Sequence, residues 1–468
     1  MFKGIRPILY GGREVLPLVE GGKGVSATNH MSSGAWAAAG GIGTVSAVNA
    51  DSYDPEGKIV PQVYRALTRR DRHEELIDYA IAGATEQVRR AYEMSGGRGA
   101  ININVLWEMG GAQRILHGVL ERTRGMVTGV TCGAGMPYKL SEIAASYGAS
   151  YLPIISSARA FSALWKRAYS KFADYLSAVV YEDPWLAGGH NGLSNAEDPL
   201  KPQDPFPRVK ALRDTMRAGG ISDDVPIVMA GGVWNLKEWE DWIDNPELGQ
   251  VAFQFGTRPL LTQESPIPAE WKQRLMTLEE GDVLLHRFSP TGFYSSAVRN
   301  PFLRNLEARS QRQIAFTKEP IGDHAFELDV GVGSKKNYWV TRGDLLHARE
   351  WYALGFTEAL KTPDETLVFV APEEKGVIRK DQADCMGCLS QCLFSSWADT
   401  ETNSTGRLAD PRSFCIQKTL QEIAHGGDTE ANLMFAGHAA FNFKRDPFYS
   451  NGFVPTVKQL VDRILTGD

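Results

Sequence analysis

Residues 226–260 read PIVMAGGVWNLKEWEDWIDNPELGQVAFQFGTRPL. Two short apolar runs, Pro226–Ala230 and Val251–Phe255, each stop at glycine: Gly231-Gly232 after the first and Gly256-Thr257 after the second. Near-continuous Val, Ile, Ala and Phe, without strict alternation, is what parallel strands covered on both faces require. Glycine at a strand end lets backbone N–H groups approach an anion with no Cβ in the way. In a (β/α)8 barrel the loops after strands seven and eight commonly form a phosphate site. The stretch therefore reads as the last two strands of such a barrel. A tight turn is the competing reading for either glycine pair alone, and two at consecutive strand ends weaken it further in favour of the anion site.

Upstream, six more runs have the same texture: Val25–Asn29, Ile42–Val48, Ile101–Val105, Met126–Thr131, Tyr151–Ser156 and Leu176–Tyr181. Amphipathic stretches separate them, including Glu74–Met94, Ala112–Arg122, Tyr138–Tyr147, Phe161–Phe172 and Asn235–Ile243. A doubly wound open sheet shares this alternation; the placing of the glycines selects the α/β TIM barrel. Downstream the texture changes. Pro268–Leu275 and Pro301–Arg309 read as helices, followed by a mixed region with strands at Phe326–Val332 and Thr366–Val370 and a helix at Arg342–Leu354. A turn at Gly426-Gly427, an apolar run Leu433–Gly437 and a helix from Pro455 to Leu465 close the chain. The expected organisation is a barrel with its following helices over 1–310, an inserted C-terminal subdomain over 311–427, and a segment over 428–468 returning to the barrel.

Charged residues make up 23% of the chain and leave a net charge of −6, with both signs interspersed, which gives no basic excess for a nucleic-acid partner. No apolar run approaches the length of a bilayer span, and the opening residues lack the apolar core of a signal peptide. A cytoplasmic enzyme acting on a small molecule, without membrane or nucleic-acid partners, is the expectation. Nothing in the sequence points to a particular oligomeric state.

Two glycine-rich stretches, Gly21–Asn29 and Ala39–Gly43, together with Asn102 and Asn104 on the third strand, offer amide and backbone groups suited to a flat polar ring. Ordinary turn chemistry is the competing reading. Beyond the sixth strand, Ala187-Gly188-Gly189-His190-Asn191-Gly192 puts a histidine on approachable backbone, where a pKa near neutrality suits acid–base work. His30 and His438 are lesser candidates.

With these motifs in order, the chain resembles the nitronate monooxygenase family. Residues 226–260 are similar to its FMN-phosphate segment. GGKGVSATNHMSSGAWAAAGGIGTVSAVN resembles its first flavin-contacting βαβ unit, and AGGHNG its Gly-Gly-His-x-Gly signature. The segments around Arg287–Asn300 and Leu433–Ala440 resemble two later family elements. The resemblance implies FMN at the C-terminal mouth of the barrel. Gly231, Gly232, Gln254, Gly256 and Thr257 would surround the phosphate, and Ser26, Asn29, Asn104 and Gly189 would lie near the cofactor. His190 would handle a proton on the nitro-substituted carbon, in oxidation of nitronates or nitroalkanes with O2. Relatives with the same core instead reduce quinones or enoyl thioesters with NAD(P)H.

Two departures stand out. Leu186 replaces the acidic residue usual before Ala-Gly-Gly-His. The region after the barrel also holds Cys385, Cys388 and Cys392 at C-x2-C-x3-C spacing, with Cys415 beyond. Four thiolates suit a 4Fe–4S cluster, which the spacing and the flavin context favour, or a structural zinc; free thiols are the third reading. An iron–sulfur centre would feed or drain electrons at the flavin, pointing to a reductase fed by NAD(P)H or another donor. A non-catalytic redox carrier or sensor fits less well, since a carrier needs no acid–base residue. Cys132, at the end of the fourth strand, reads as a small core thiol.

Overall fold

The computed structural model describes residues 2, 4–330 and 337–468. Eight parallel strands close into a barrel: β1 (Leu18–Glu20), β2 (Ile42–Ser46), β3 (Ala100–Leu106), β4 (Gly129–Gly133), β5 (Ser150–Ile155), β6 (Val179–Glu182), β7 (Ile227–Ala230) and β8 (Val251–Phe255). Each pairs with the next, and Phe253–Phe255 of β8 returns alongside β1. Helices α1 (His30–Ala38), α2 (Arg69–Ser95), α3 (Ala112–Arg122), α4 (Leu140–Ser146), α5 (Ala158–Arg167) and α6 (Pro205–Ala218) follow the first six strands. Between β7 and β8 the expected helix is a 3-10 turn, Lys237–Trp242. The C-terminal helix Val457–Leu465 buries Val457, Leu460, Val461 and Ile464 against the outside of the barrel, the i, i+3, i+4, i+7 stripe of an amphipathic helix.

Seven expected strands overlap barrel strands; the first does not. Val25–Asn29 is a turn, and the first strand is Leu18–Glu20. Ser26 sits at φ +59°, and Asn29 caps α1 by accepting from the backbone N–H groups of Met31 and Ser32. Asn caps a helix in this way because its side chain satisfies donors that the first turn leaves unpaired. The true strand is three residues long and ends in an acid, buried Glu20, so it carries almost no apolar signature.

Side chains alternate along a strand, so every second residue faces the barrel interior. The lower layers are aliphatic, with Val19, Ile42, Ala100, Leu152, Val180, Val228 and Ala252 packed together. A hairpin, Ile8–Tyr10 with Arg13–Val15, plugs the bottom, where Tyr10 Oη donates to Asn102 Oδ1 at 2.8 Å. By the same alternation Asn104, Thr131, Glu182 and Gln254 occupy the uppermost layer, which is polar.

The remaining chain roofs the mouth of the barrel. Gly189–His190 joins Ser295–Val298 and Val283–His286 in a three-stranded antiparallel sheet. A second sheet, Gln313–Ala315, Thr366–Val370 and Glu358–Lys361, has a core of its own that includes Ile314, Leu328, Val340 and Phe369. The expected strand Phe326–Val332 is observed as Phe326–Asp329; its last two positions lie outside the described residues. The cysteine segment shares its core with Val25, Ala297 and Leu303. It is bonded to the β3–α3 loop through Gly110 N–H to Cys388 O (2.9 Å) and Ser390 N–H to Glu108 O (2.7 Å). The first turn of α2 grips the same segment: Arg69 donates to Ser395 O, Arg72 to Cys385 O, and buried His73 Nδ1 bonds Gly387 O at 2.9 Å. No helix among the described residues is long and apolar enough to cross a membrane.

Candidate active site

A cavity of about 480 Å³ opens above the polar layer of the barrel. Its floor is made by Asn104, Thr131, Glu182 and Gln254, and one wall by Gly188, Gly189 and His190. Phe293, Phe435, Cys388, Gln417 and Leu420, all contributed by the chain after the barrel, close it from above. Several polar atoms in this lining are buried without a partner, namely Asn104 Oδ1, Thr44 Oγ1 and Gln417 Nε2. Unpaired buried polar atoms are costly, so a lining of this kind suits a bound group with matching donors and acceptors.

Of the residues expected from the sequence, Asn104, Gly189, His190, Gln254, Gly256 and Thr257 meet at this cavity. Ser26, Asn29, Gly231 and Gly232 do not line it. Ser26 Oγ donates to buried Asp51, and Asn29 Nδ2 donates to Tyr53 Oη at 3.2 Å. Gly231 and Gly232 adopt φ of +96° and +79°, a region that favours glycine. They pack beneath Ala187 and Leu186. Among the described residues the backbone N–H groups of Gly231, Gly232, Gly256 and Thr257 donate no hydrogen bond, leaving four donors at the ends of β7 and β8. Such donors are what a phosphate needs.

His190 is half-buried and lies opposite Ser295 in the three-stranded sheet. Its Nε2 is 2.7 Å from Ser289 Oγ, which in turn bonds Thr291 Oγ1 at 2.8 Å. The Phe435 ring meets the imidazole edge-on, 5.6 Å between centroids. Burial lowers its pKa to about 4, so the ring is neutral at neutral pH. His286, across Ser295 in the same sheet, is lowered to about 3 by burial and then by His190. His438 bonds Ser296 Oγ at 3.1 Å, and His30 stacks edge-on against Tyr53; neither lines the cavity.

Sequence reasoning missed Glu182 and Lys23, and gave Ser289, Phe435 and Cys388 no place over the barrel mouth. Ser289 and Phe435 come from segments far along the chain, brought to the site by the pairing of Gly189–His190 with Ser295–Val298 and by the Ala297–Phe435 bridge. Glu182 sat one residue past the expected strand end.

All four clustered cysteines carry free thiols in or against one buried apolar cluster. The Cys388 thiol is pushed well up by burial and then by Cys415, Cys392 and Cys385. Burial also raises Cys392 to about 11 and Cys415 to about 12. Among the described residues no group of three or more His, Cys, Asp or Glu converges closely enough for a single metal ion. Cys132 is fully buried in the barrel wall with its thiol pKa raised by burial, as expected of a core thiol.

A family model described as nitronate monooxygenase matches residues 13–466. A comparison with curated proteins gives no match. Among solved structures, the enoyl reductase domain of MlnA from the macrolactin biosynthesis cluster of Bacillus amyloliquefaciens superposes with a TM-score of 0.53 at 13% identity, over 96% of this chain and 93% of that one. This likeness is one of fold. FabK from Thermotoga maritima gives 0.48 at 16% identity, over 96% and 92% of the two chains. A nitroalkane oxidase from Streptomyces ansochromogenes gives 0.44 at 18% identity, over 62% and 78%.

Proposed function

The chain belongs to the nitronate monooxygenase family, an FMN-dependent oxidoreductase kind, and from that premise we propose that it oxidises a small carbon acid of the nitronate or nitroalkane type with His190 as the proton-handling group. The observation that carries this reading is a neutral imidazole lining the cavity, anchored at Nε2 by the Ser289–Thr291 pair. A neutral ring is a base at working pH, and its anchor fixes the angle of attack. For a nitroalkane, the C–H bond breaks, the proton passes to His190 Nδ1, and the electron pair delocalises into the nitro group. Phe435 and Phe293 supply apolar walls that exclude water from the reacting carbon. Bound FMN supplies the electron-accepting chemistry, with O2 as final oxidant. Gly231, Gly232, Gly256 and Thr257 would hold its phosphate, and Asn104 and Gln254 its polar edge. Ser26 and Asn29 would act one step back, holding the 21–29 crossing through Asp51 and Tyr53.

Oxygen uptake by the FMN-loaded protein with alkyl nitronates tests this reading. Uptake that His190→Ala abolishes supports it, and no uptake with any nitronate or nitroalkane overturns it.

A second reading is favoured by one observation: Cys388 lines the same cavity as His190. Here Cys385, Cys388, Cys392 and Cys415 ligate one 4Fe–4S cluster, and the enzyme is a reductase of quinones or enoyl-type substrates fed through it, with NAD(P)H as donor. Sulfurs around one zinc stand about 3.8 Å apart, given bonds of about 2.3 Å in a tetrahedron. A 4Fe–4S cluster takes four cysteine ligands, and these four thiols lie in or against one buried apolar cluster. Iron and acid-labile sulfide at about four each per chain, with anaerobic NAD(P)H oxidation, support this reading. One zinc and no iron sinks it.

A further inference from the structure

Glu182 is a half-buried acid that the mechanism above leaves unused. It ends β6, pairs in register with Ala230 of β7, and through it stands level with Gln254 of β8. Strand alternation turns it inward, above Val180, and its side chain lines the cavity floor. Among the described residues its carboxyl has no hydrogen bond and no cation beside it; desolvation and then Asp183 act on it. The neighbouring charged groups are otherwise engaged. Asp183 Oδ1 accepts from the backbone N–H groups of Trp185 and Leu186, each at 2.9 Å. Lys23, on the 21–29 crossing, donates to Gly21 O at 2.6 Å and stands 3.7 Å from Glu20. His190 on the wall is neutral, and Cys388 in the roof is a thiol.

We propose that Glu182 works as a neutral carboxylic acid, its O–H donating a hydrogen bond to an acceptor atom of the flavin edge resting on the barrel floor. This rests on the FMN reading above and deepens it. Burial beside Asp183 raises the carboxyl to about 8, so it keeps its proton at neutral pH. An uncharged acid on the floor thus faces an uncharged base on the wall, two groups whose surroundings drive their protonation in opposite senses. Negative charge that builds on the ring during reduction meets a donor and not a carboxylate. Loss of that proton would replace the donor with a like charge.

The test is a spectral titration of the FMN-loaded protein, without substrate, between pH 6 and 10. The wild type should show a flavin absorbance transition near pH 8 or above. Glu182→Gln keeps a donor but cannot ionise. It should bind FMN within about 3-fold of wild type and lose the transition, while Glu182→Ala should lose about 10-fold in affinity, one ordinary hydrogen bond. A transition that persists in Glu182→Gln, or is absent from the wild type, overturns the proposal while leaving the FMN reading intact. A wild-type protein that binds no FMN overturns both.

Discussion

Gly256 and Gly232 look alike in the sequence, each closing an apolar run, yet the structure predicts opposite consequences for the same substitution. A Cβ at Gly256 meets nothing within 4 Å, and its φ lies outside the left-handed region. Gly256→Val should leave the cofactor-free protein within about 0.5 kcal/mol of wild type, the usual range for an unobstructed site. At Gly232 the φ of +79° is costly for any side chain, and the Cβ would stand 2.8 Å from Leu186 Cδ1. The backbone cost is roughly 1–2 kcal/mol, and crowding adds about 1–3 kcal/mol, less what the flexible Leu186 can yield. Gly232→Val should therefore destabilise the cofactor-free protein by about 2–4 kcal/mol in total. FMN affinity should fall in Gly256→Val for a separate reason, because the isopropyl group fills the approach to the β8 donors. Loss of one charge-assisted hydrogen bond, about 1.5–3 kcal/mol, weakens binding roughly 10- to 150-fold. Denaturant unfolding of the two apo variants, with FMN fluorescence titrations of each, separates the effects. If Gly256→Val binds FMN as tightly as wild type, the phosphate does not sit at the end of β8. If apo Gly232→Val is as stable as wild type, the strain argument fails.

His190→Ala should retain FMN and lose turnover by roughly 100- to 10,000-fold on the true substrate, the span typical of acid–base groups; unchanged steady-state rates would return His190 to a structural role. Because burial holds His190 and His286 near 4 and 3, the unfolded chain binds more protons than the native one below pH 6.5. The stability these rings contribute is full above pH 6.5 and declines as pH falls toward 4, so melting temperature should drop across that window, and less steeply in His286→Asn. Cys388→Ser should bleach any iron–sulfur absorbance while leaving FMN in place; full iron content in that variant would discard the four-cysteine ligand set.

What the sequence made legible follows from how locally each feature is encoded. β7 and β8 were readable because a buried parallel strand is a continuous apolar run and glycine marks its end. Gln254, Gly256, Thr257, Asn104 and His190 were then found by position alone, since a barrel gathers its strand ends at one face. β1 was not readable: three residues ending in Glu20 look like a loop, while the neighbouring Val25–Asn29 imitates a strand and is a turn leading to a cap. Glu182 was hidden because its role depends on which way the last residue of β6 faces. Ser289, Phe435 and Gln417 are joined to the site only by tertiary pairing, such as the bond from Asn49 Nδ2 to Gln417 Oε1 across 368 positions.

That long-range roof has a consequence for biosynthesis. The strands of the barrel are complete by Phe255, whereas Cys388, Gln417 and Phe435 leave the ribosome much later. At roughly 5–20 residues per second, the interval between the end of β8 and the arrival of Phe435 is on the order of ten to forty seconds. During it the nascent barrel stands uncovered, its polar floor open to small molecules. Flavin arriving in that window meets an open bowl; afterwards it meets one covered in part by Phe293, Phe435, Cys388, Gln417 and Leu420.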